Sequence, residues 1–255
     1  MIARVLTLLV ILVLATGAVD PNDPFKAAAI VEKPGARIPL DQTFVTAVGK
    51  PVTLRQLAAG KPLLITPVQH DCPNICGVTL AGIAGAIDRQ AKYRPGPDFA
   101  IVALGIDPRE GPAQARDDLH RLALQRPGAK WQPDALTGDA RAVTDALGYR
   151  YAWSEPLKQY AHVSGTAVLT PDGKLSSWLY GLSPTSAQLD DALAQATAGK
   201  SGGVMQQILL LCFHYDPQTG RYSLAITKAL RLAGIVTVLL IGLAILLLSR
   251  RRRAA

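Results

Sequence analysis

Cysteine is scarce in this chain: 255 residues hold three, Cys72, Cys76 and Cys212, beside four histidines. That allows at most one disulfide with a thiol left over. A bridge between Cys72 and Cys76 would close so small a loop that it constrains little of the unfolded chain and adds little stability. No internal repeat and no long low-complexity tract is present, which leaves one domain with a full core plus accessory segments. Negative charge is missing from the two ends. Residues 19–229 hold all 19 Asp and Glu and 21 of the 27 Lys and Arg, so the formal charge of +8 falls to +2 once the ends are set aside. The basic balance is therefore no phosphate-binding surface, and it excludes nucleic acid as a partner.

The ends read as topology signals. Residues 1–18 have a basic start at Arg4, an apolar run from Val5 to Ala15 and a small-residue exit, Thr16-Gly17-Ala18, as an export signal cleaved after Ala18 has. Leu232 to Ser249 contains no charge and is followed by Arg250-Arg251-Arg252-Arg253. At about 1.5 Å per residue this stretch just spans a hydrocarbon core, and the arginines place the C-terminus in the cytoplasm. The expected organisation is a signal peptide (1–18), a spacer (19–37), a folded domain (38–199), a juxtamembrane segment (200–229), a transmembrane helix (230–249) and a basic cytoplasmic tail (250–255). The domain then lies outside the membrane.

Between the ends, Val19 to Pro39 is rich in Pro, Asp and Ala and reads as an exposed, poorly ordered spacer. Phe44 to Val48 and Val52 to Leu54 flank a Gly49-Lys50-Pro51 turn, an N-terminal hairpin. Pro62 to Val68 and Phe99 to Ile106 are short apolar runs suited to buried strands. Helices are expected from Cys76, with Val78, Leu80, Ile83, Ala84 and Ile87 on one face, over Ala113 to Leu124, and over Ala140 to Leu147. Tyr149 to Trp153 reads as a short strand. Val163 to Thr170 pairs with Lys174 to Tyr180 across Thr170-Pro171-Asp172-Gly173, and Ser186 to Ala198 closes the domain as a helix. This alternation of strand and helix makes an α/β fold with a parallel sheet core.

The chemistry concentrates at His70-Asp71-Cys72-Pro73-Asn74-Ile75-Cys76-Gly77. Thiols at i and i+4 share one face of a helical turn, about 5–6 Å apart at Cβ. Pro73 suits a first turn, so the pair straddles a helix N-terminus, where the macrodipole favours thiolate. Three intervening residues suit a tight exchangeable disulfide less well than two do. They suit a soft metal ion, copper(I) or zinc, with a third ligand from elsewhere. His120 lies in a charged amphipathic helix and reads as solvated. His70, two residues before Cys72, can reach the site or face solvent, and His162 precedes a strand at the end of the sheet where such folds build sites. The residues alone leave His70 and His162 open.

The order of strand, Cys72-Pro73-Asn74-Ile75-Cys76, helix, strand, Gly105-Ile106-Asp107-Pro108-Arg109, and then His162 before a hairpin with Asp172-Gly173 resembles the Sco/SenC family of copper-binding assembly proteins. The resemblance covers Ile38 to Gly181. It implies a thioredoxin-like fold, here with an N-terminal β-hairpin extension and a C-terminal transmembrane helix. It further implies one copper ion per domain, held by Cys72, Cys76 and His162. The role implied is that of a periplasmic copper chaperone anchored in the bacterial inner membrane, not an enzyme, serving the copper-bearing subunit of cytochrome c oxidase and depending on a periplasmic thiol reductant. The alternative is a thiol–disulfide oxidoreductase acting through Cys72 and Cys76 on a copper-accepting protein. Ala161-His162-Val163 lacks the proline found there in disulfide-exchanging thioredoxins, which counts against it.

Two features depart from the family. Gly77 stands where a second proline is usual, and Val68-Gln69-His70-Asp71 stands where relatives carry aromatics. Downstream, Leu211-Cys212-Phe213-His214-Tyr215-Asp216-Pro217 is similar to a stretch in bacterial members with a C-terminal anchor. If it is extended, Cys212 and His214 face one side, either as an accessory copper site or as plain juxtamembrane packing.

Overall fold

The computed structural model describes residues 27–31, 33, 35–72, 76–201, 215–216, 221–222, 232–237, 240 and 242. The chain divides into two compact units, and the larger takes in residues 24–209. Its elements run β1 (Ala29–Ile30), β2 (Thr43–Thr46), β3 (Pro51–Thr53), α1 (Leu54–Ala58), β4 (Leu63–Val68), α2 (Cys76–Arg89), β5 (Ala100–Gly105) and α3 (Pro112–Gln125). They continue with β6 (Asp134–Thr137), α4 (Arg141–Leu147), β7 (Tyr149–Arg150), β8 (Ala152–Ser154), β9 (Gln159–Ala161), β10 (Gly165–Leu169), β11 (Leu175–Tyr180) and α5 (Ser186–Thr197).

Seven strands form one sheet in the order β11-β10-β4-β5-β6-β2-β3. The expected parallel core is there: β4, β5 and β6 run parallel, with Leu63 opposite Ala100 and Val102 opposite Asp134. The antiparallel hairpins β10–β11 and β2–β3 complete it on either side. Every residue of β4 and β5 is buried, as strands covered on both faces require. Alternation divides them between two cores. Leu63, Ile65, Val102 and Leu104 pack with Leu54, Val143, Leu147 and Tyr149. Leu64, Val68, Ile101 and Ala103 pack with Leu80, Ile83, Leu122, Leu189 and Leu193 of α2, α3 and α5.

The helices begin where their sequences supply caps. Thr53 and Gln56 at α1, and Thr185 and Gln188 at α5, exchange side-chain and backbone hydrogen bonds in capping boxes. At α3, Pro112 occupies the first turn and the Gln114 side chain accepts the Gly111 N–H at 3.0 Å. Gly148 ends α4 at φ 72°, and a Cβ there would lie 1.9 Å from the carbonyl oxygen of Val31. Only glycine lets the N-terminal segment pass so close.

That segment corrects the spacer reading. Ala28, Ala29, Ile30 and Ile38 are buried, and β1 pairs with β7 through Ala29–Arg150 and Ile30–Tyr149. Two further elements were not expected: β6, and the hairpin that β9 forms with β8. In the smaller unit, β12 (Tyr215–Asp216) pairs antiparallel with β13 (Arg221–Tyr222). The export signal, Cys212, His214, the arginine tail and most of the expected membrane span lie outside the described residues. Residues 232–237 are helical, and among the described residues no helix is long and apolar enough to cross a membrane.

Candidate metal centre

Cys72 stands just past the C-terminal end of β4, an interior strand of the sheet, where open α/β sheets present their sites. A turn holds it there: its N–H donates to the Gln69 carbonyl at 3.2 Å. The thiol is half-buried and donates towards Oε1 of Gln159 at 3.9 Å. Cys72 also lines a pocket of about 120 Å³ with Gly77, Val78 and Arg121 among its walls. Cys76 opens α2, on the helix-start side of the motif as expected.

His162 lies between β9 and β10 and is buried. Its Nδ1 is 3.0 Å from the Tyr149 hydroxyl and 3.2 Å from the Val163 carbonyl oxygen, while that hydroxyl donates to the same carbonyl at 2.7 Å. A carbonyl only accepts, and the tyrosine has spent its one proton on it, so the shared proton belongs to Nδ1 of His162. In the neutral ring this leaves the lone pair on Nε2, the form in which imidazole ligates a metal. Burial pushes the His162 pKa down, against smaller opposing effects of the Val163 carbonyl and of negative charge on Cys72. The ring is thus kept neutral, and it stands close enough to Cys72 to feel a thiolate there. The structure brings these two predicted residues to one locus. Among the described side chains, which do not include that of Cys76, no group of three His, Cys, Asp and Glu stands ready to hold a metal ion.

His70 does not join them. It is fully buried, with Nε2 3.0 Å from the Leu136 carbonyl oxygen and Nδ1 2.9 Å from Oδ2 of Asp118. Both nitrogens are engaged by protein oxygens, which removes it as a ligand. Arg121 closes this cluster by donating to the His70 carbonyl and, at 3.4 Å, to Oδ1 of Asp118. Gly105 makes room for it: a Cβ there would lie 3.0 Å from Cδ2 of the His70 ring and 2.9 Å from the Leu136 carbonyl oxygen. His120 is exposed, as expected.

The supporting residues were not foreseen. Glu110, after β5, accepts the Asp71 N–H at 2.7 Å through Oε1. Its Oε2 is buried with no hydrogen-bond partner among the described residues. Burial pushes the Glu110 pKa up, while the N–H groups of Asp71 and His70 pull it back. Arg109 pairs with Asp107 at 2.6 Å and lies 4.2 Å over the Trp153 ring on β8. The loop before Cys72, the turn after β5 and the hairpin leading to His162 are therefore tied together. None of this carries a spacing signal in the sequence, since each tie joins residues far apart in the chain.

A buried central sheet with a thiol past the end of an interior parallel strand, and a buried histidine on the loop before β10, defines a mixed α/β protein of thioredoxin-like architecture. Residues 32–197 match the SCO1/SenC family, and the chain belongs to it. The fold is also that of a proposed electron transfer protein from Aquifex aeolicus VF5, at 22% identity over 66% of this chain and 96% of that one with a TM-score of 0.57. A proposed electron transport protein from the same organism is 20% identical over 65% of this chain and 99% of its own, with a TM-score of 0.53. ScoI of Arabidopsis thaliana, solved with copper bound, is 22% identical over 67% and 99% at a TM-score of 0.49. No curated protein matches the chain.

Proposed function

We propose that this chain carries one copper ion on Cys72, Cys76 and His162 and hands it to an accepting protein, the copper site of cytochrome c oxidase being the acceptor that family membership suggests. The observation that carries this reading is the hold on His162: a buried imidazole, oriented through Nδ1 by Tyr149 and Val163, on the segment whose Gln159 meets the Cys72 sulfur. An imidazole held this way has the second-shell partner that metal-ligating histidines almost always have. Copper is here the cargo, and soft thiolates select its reduced form. Each thiol gives up its proton on loading, so loading is favoured by high pH and requires reduced cysteines. A thiol reductant is then a necessary partner.

The proposed setting is the periplasmic face of the bacterial inner membrane, with the export signal and the C-terminal apolar stretch as its determinants. The same cysteines suit a second reading, reduction of disulfides in a copper-accepting protein. His162→Ala separates the two. A chaperone loses copper affinity with this change and keeps thiol reactivity, whereas copper binding that survives while disulfide reduction fails makes the protein a reductase.

A further inference from the structure

We propose that Gln69 is a positioning residue that sets the gap between the cysteine loop and His162; this rests on the copper reading above. Gln69 is buried, at 7% exposure, and it holds both halves of the site at once. Its main-chain carbonyl accepts the Cys72 N–H at 3.2 Å, and its side-chain Oε1 accepts the Tyr160 N–H at 3.0 Å. Tyr160 lies two residues before His162 and next to Gln159, whose side chain meets the Cys72 sulfur.

The topology explains why a side chain is needed there. β9 belongs to a two-stranded sheet with β8, and among the described residues no strand pairs with its other side. An edge N–H turned towards the protein needs an acceptor, and Gln69 supplies one without burying a charge. The other hold on the hairpin, Arg109 over Trp153, is made by a side chain that is 61% exposed. Gln69 is the buried one.

The test uses the full chain, reduced, in wild type, Q69L, Q69N, H162A and Q69L/H162A. Leucine fills the space of the glutamine stem with no acceptor and adds no copper ligand; asparagine keeps the amide but is one methylene too short to reach Tyr160. Copper(I) affinity is read by chelator competition, and hydrogen exchange of the Tyr160 amide is read in the copper-free chain. Q69L is expected to speed Tyr160 exchange and to weaken copper binding about tenfold, as loss of a supporting residue does, with no further loss in the H162A background. Wild-type affinity in Q69L, or equal losses in both backgrounds, overturns the proposal. If H162A alone keeps wild-type affinity, the copper reading itself has failed. Should Q69L not fold, Q69N carries the same comparison.

Discussion

The Tyr149 hydroxyl donates to the Val163 carbonyl at 2.7 Å and stands 3.0 Å from Nδ1 of His162, so a fully buried tyrosine thirteen residues upstream decides which histidine nitrogen carries the proton. Tyr149→Phe keeps the ring in its stack with Trp178, at 5.9 Å between centroids, and removes only the hydroxyl. Copper affinity should fall about tenfold, and stability should fall by about 1 kcal/mol. Chelator competition and denaturant unfolding measure the two effects. Unchanged affinity would mean that the Val163 carbonyl alone orients the ring.

His70 is a structural residue in this account. His70→Ala leaves the Asp118 carboxylate buried without its imidazole partner, and loss of one member of such a pair costs about 3–5 kcal/mol. The folded fraction should still bind one copper ion with unchanged affinity. A lost copper ion with little loss of stability would return His70 to the ligand set.

Gly105→Ala brings a methyl group to 3.0 Å from the His70 ring and 2.9 Å from the Leu136 carbonyl oxygen. Backbone oxygen cannot yield as a flexible side chain does, so the cost should be about 1–3 kcal/mol, read as a lowered melting temperature. A variant as stable as wild type would show that the strand ends shift freely.

Glu110 gives the copper-free chain a pH signature. Its folded pKa is raised by burial, so between the ordinary carboxylate value and that raised value the folded state binds more protons than the unfolded one. Glu110 therefore lowers stability above its folded pKa, and that loss is recovered as pH falls through this value. Glu110→Gln removes the buried negative charge, so it should raise stability at neutral pH and flatten this part of the pH profile. Urea midpoints from pH 7 down to pH 5 measure it, and an unchanged profile would count against a buried, raised carboxyl.

The legible parts of this fold were those whose signal is local. β4 and β5 are unbroken apolar runs, α2 repeats its apolar residues at helical spacing, and the β10–β11 hairpin carries Pro171-Asp172-Gly173 at its turn. β6 is four residues long and gains its identity from pairing with β5 and β2, which no window around Asp134 contains. β9 has only Gln159, Tyr160 and Ala161, and β1 hides in a stretch whose prolines and alanines read as spacer. At the site, residue type and spacing singled out Cys72 and Cys76 as candidates but left His70 and His162 open. His70 was left open because its proximity in sequence says nothing of which way a buried imidazole turns, and Asp118, 48 residues on, decides that.

The central claim is that Cys72, Cys76 and His162 act together on one ion. The most direct measurement is titration of the reduced full chain with copper(I) against a competing chelator, in wild type and in Cys72→Ser, Cys76→Ser and His162→Ala. The account predicts one equivalent per chain, with each change weakening binding by more than the roughly 10–100-fold that loss of a supporting residue costs. Retention of wild-type affinity and stoichiometry by His162→Ala would contradict it.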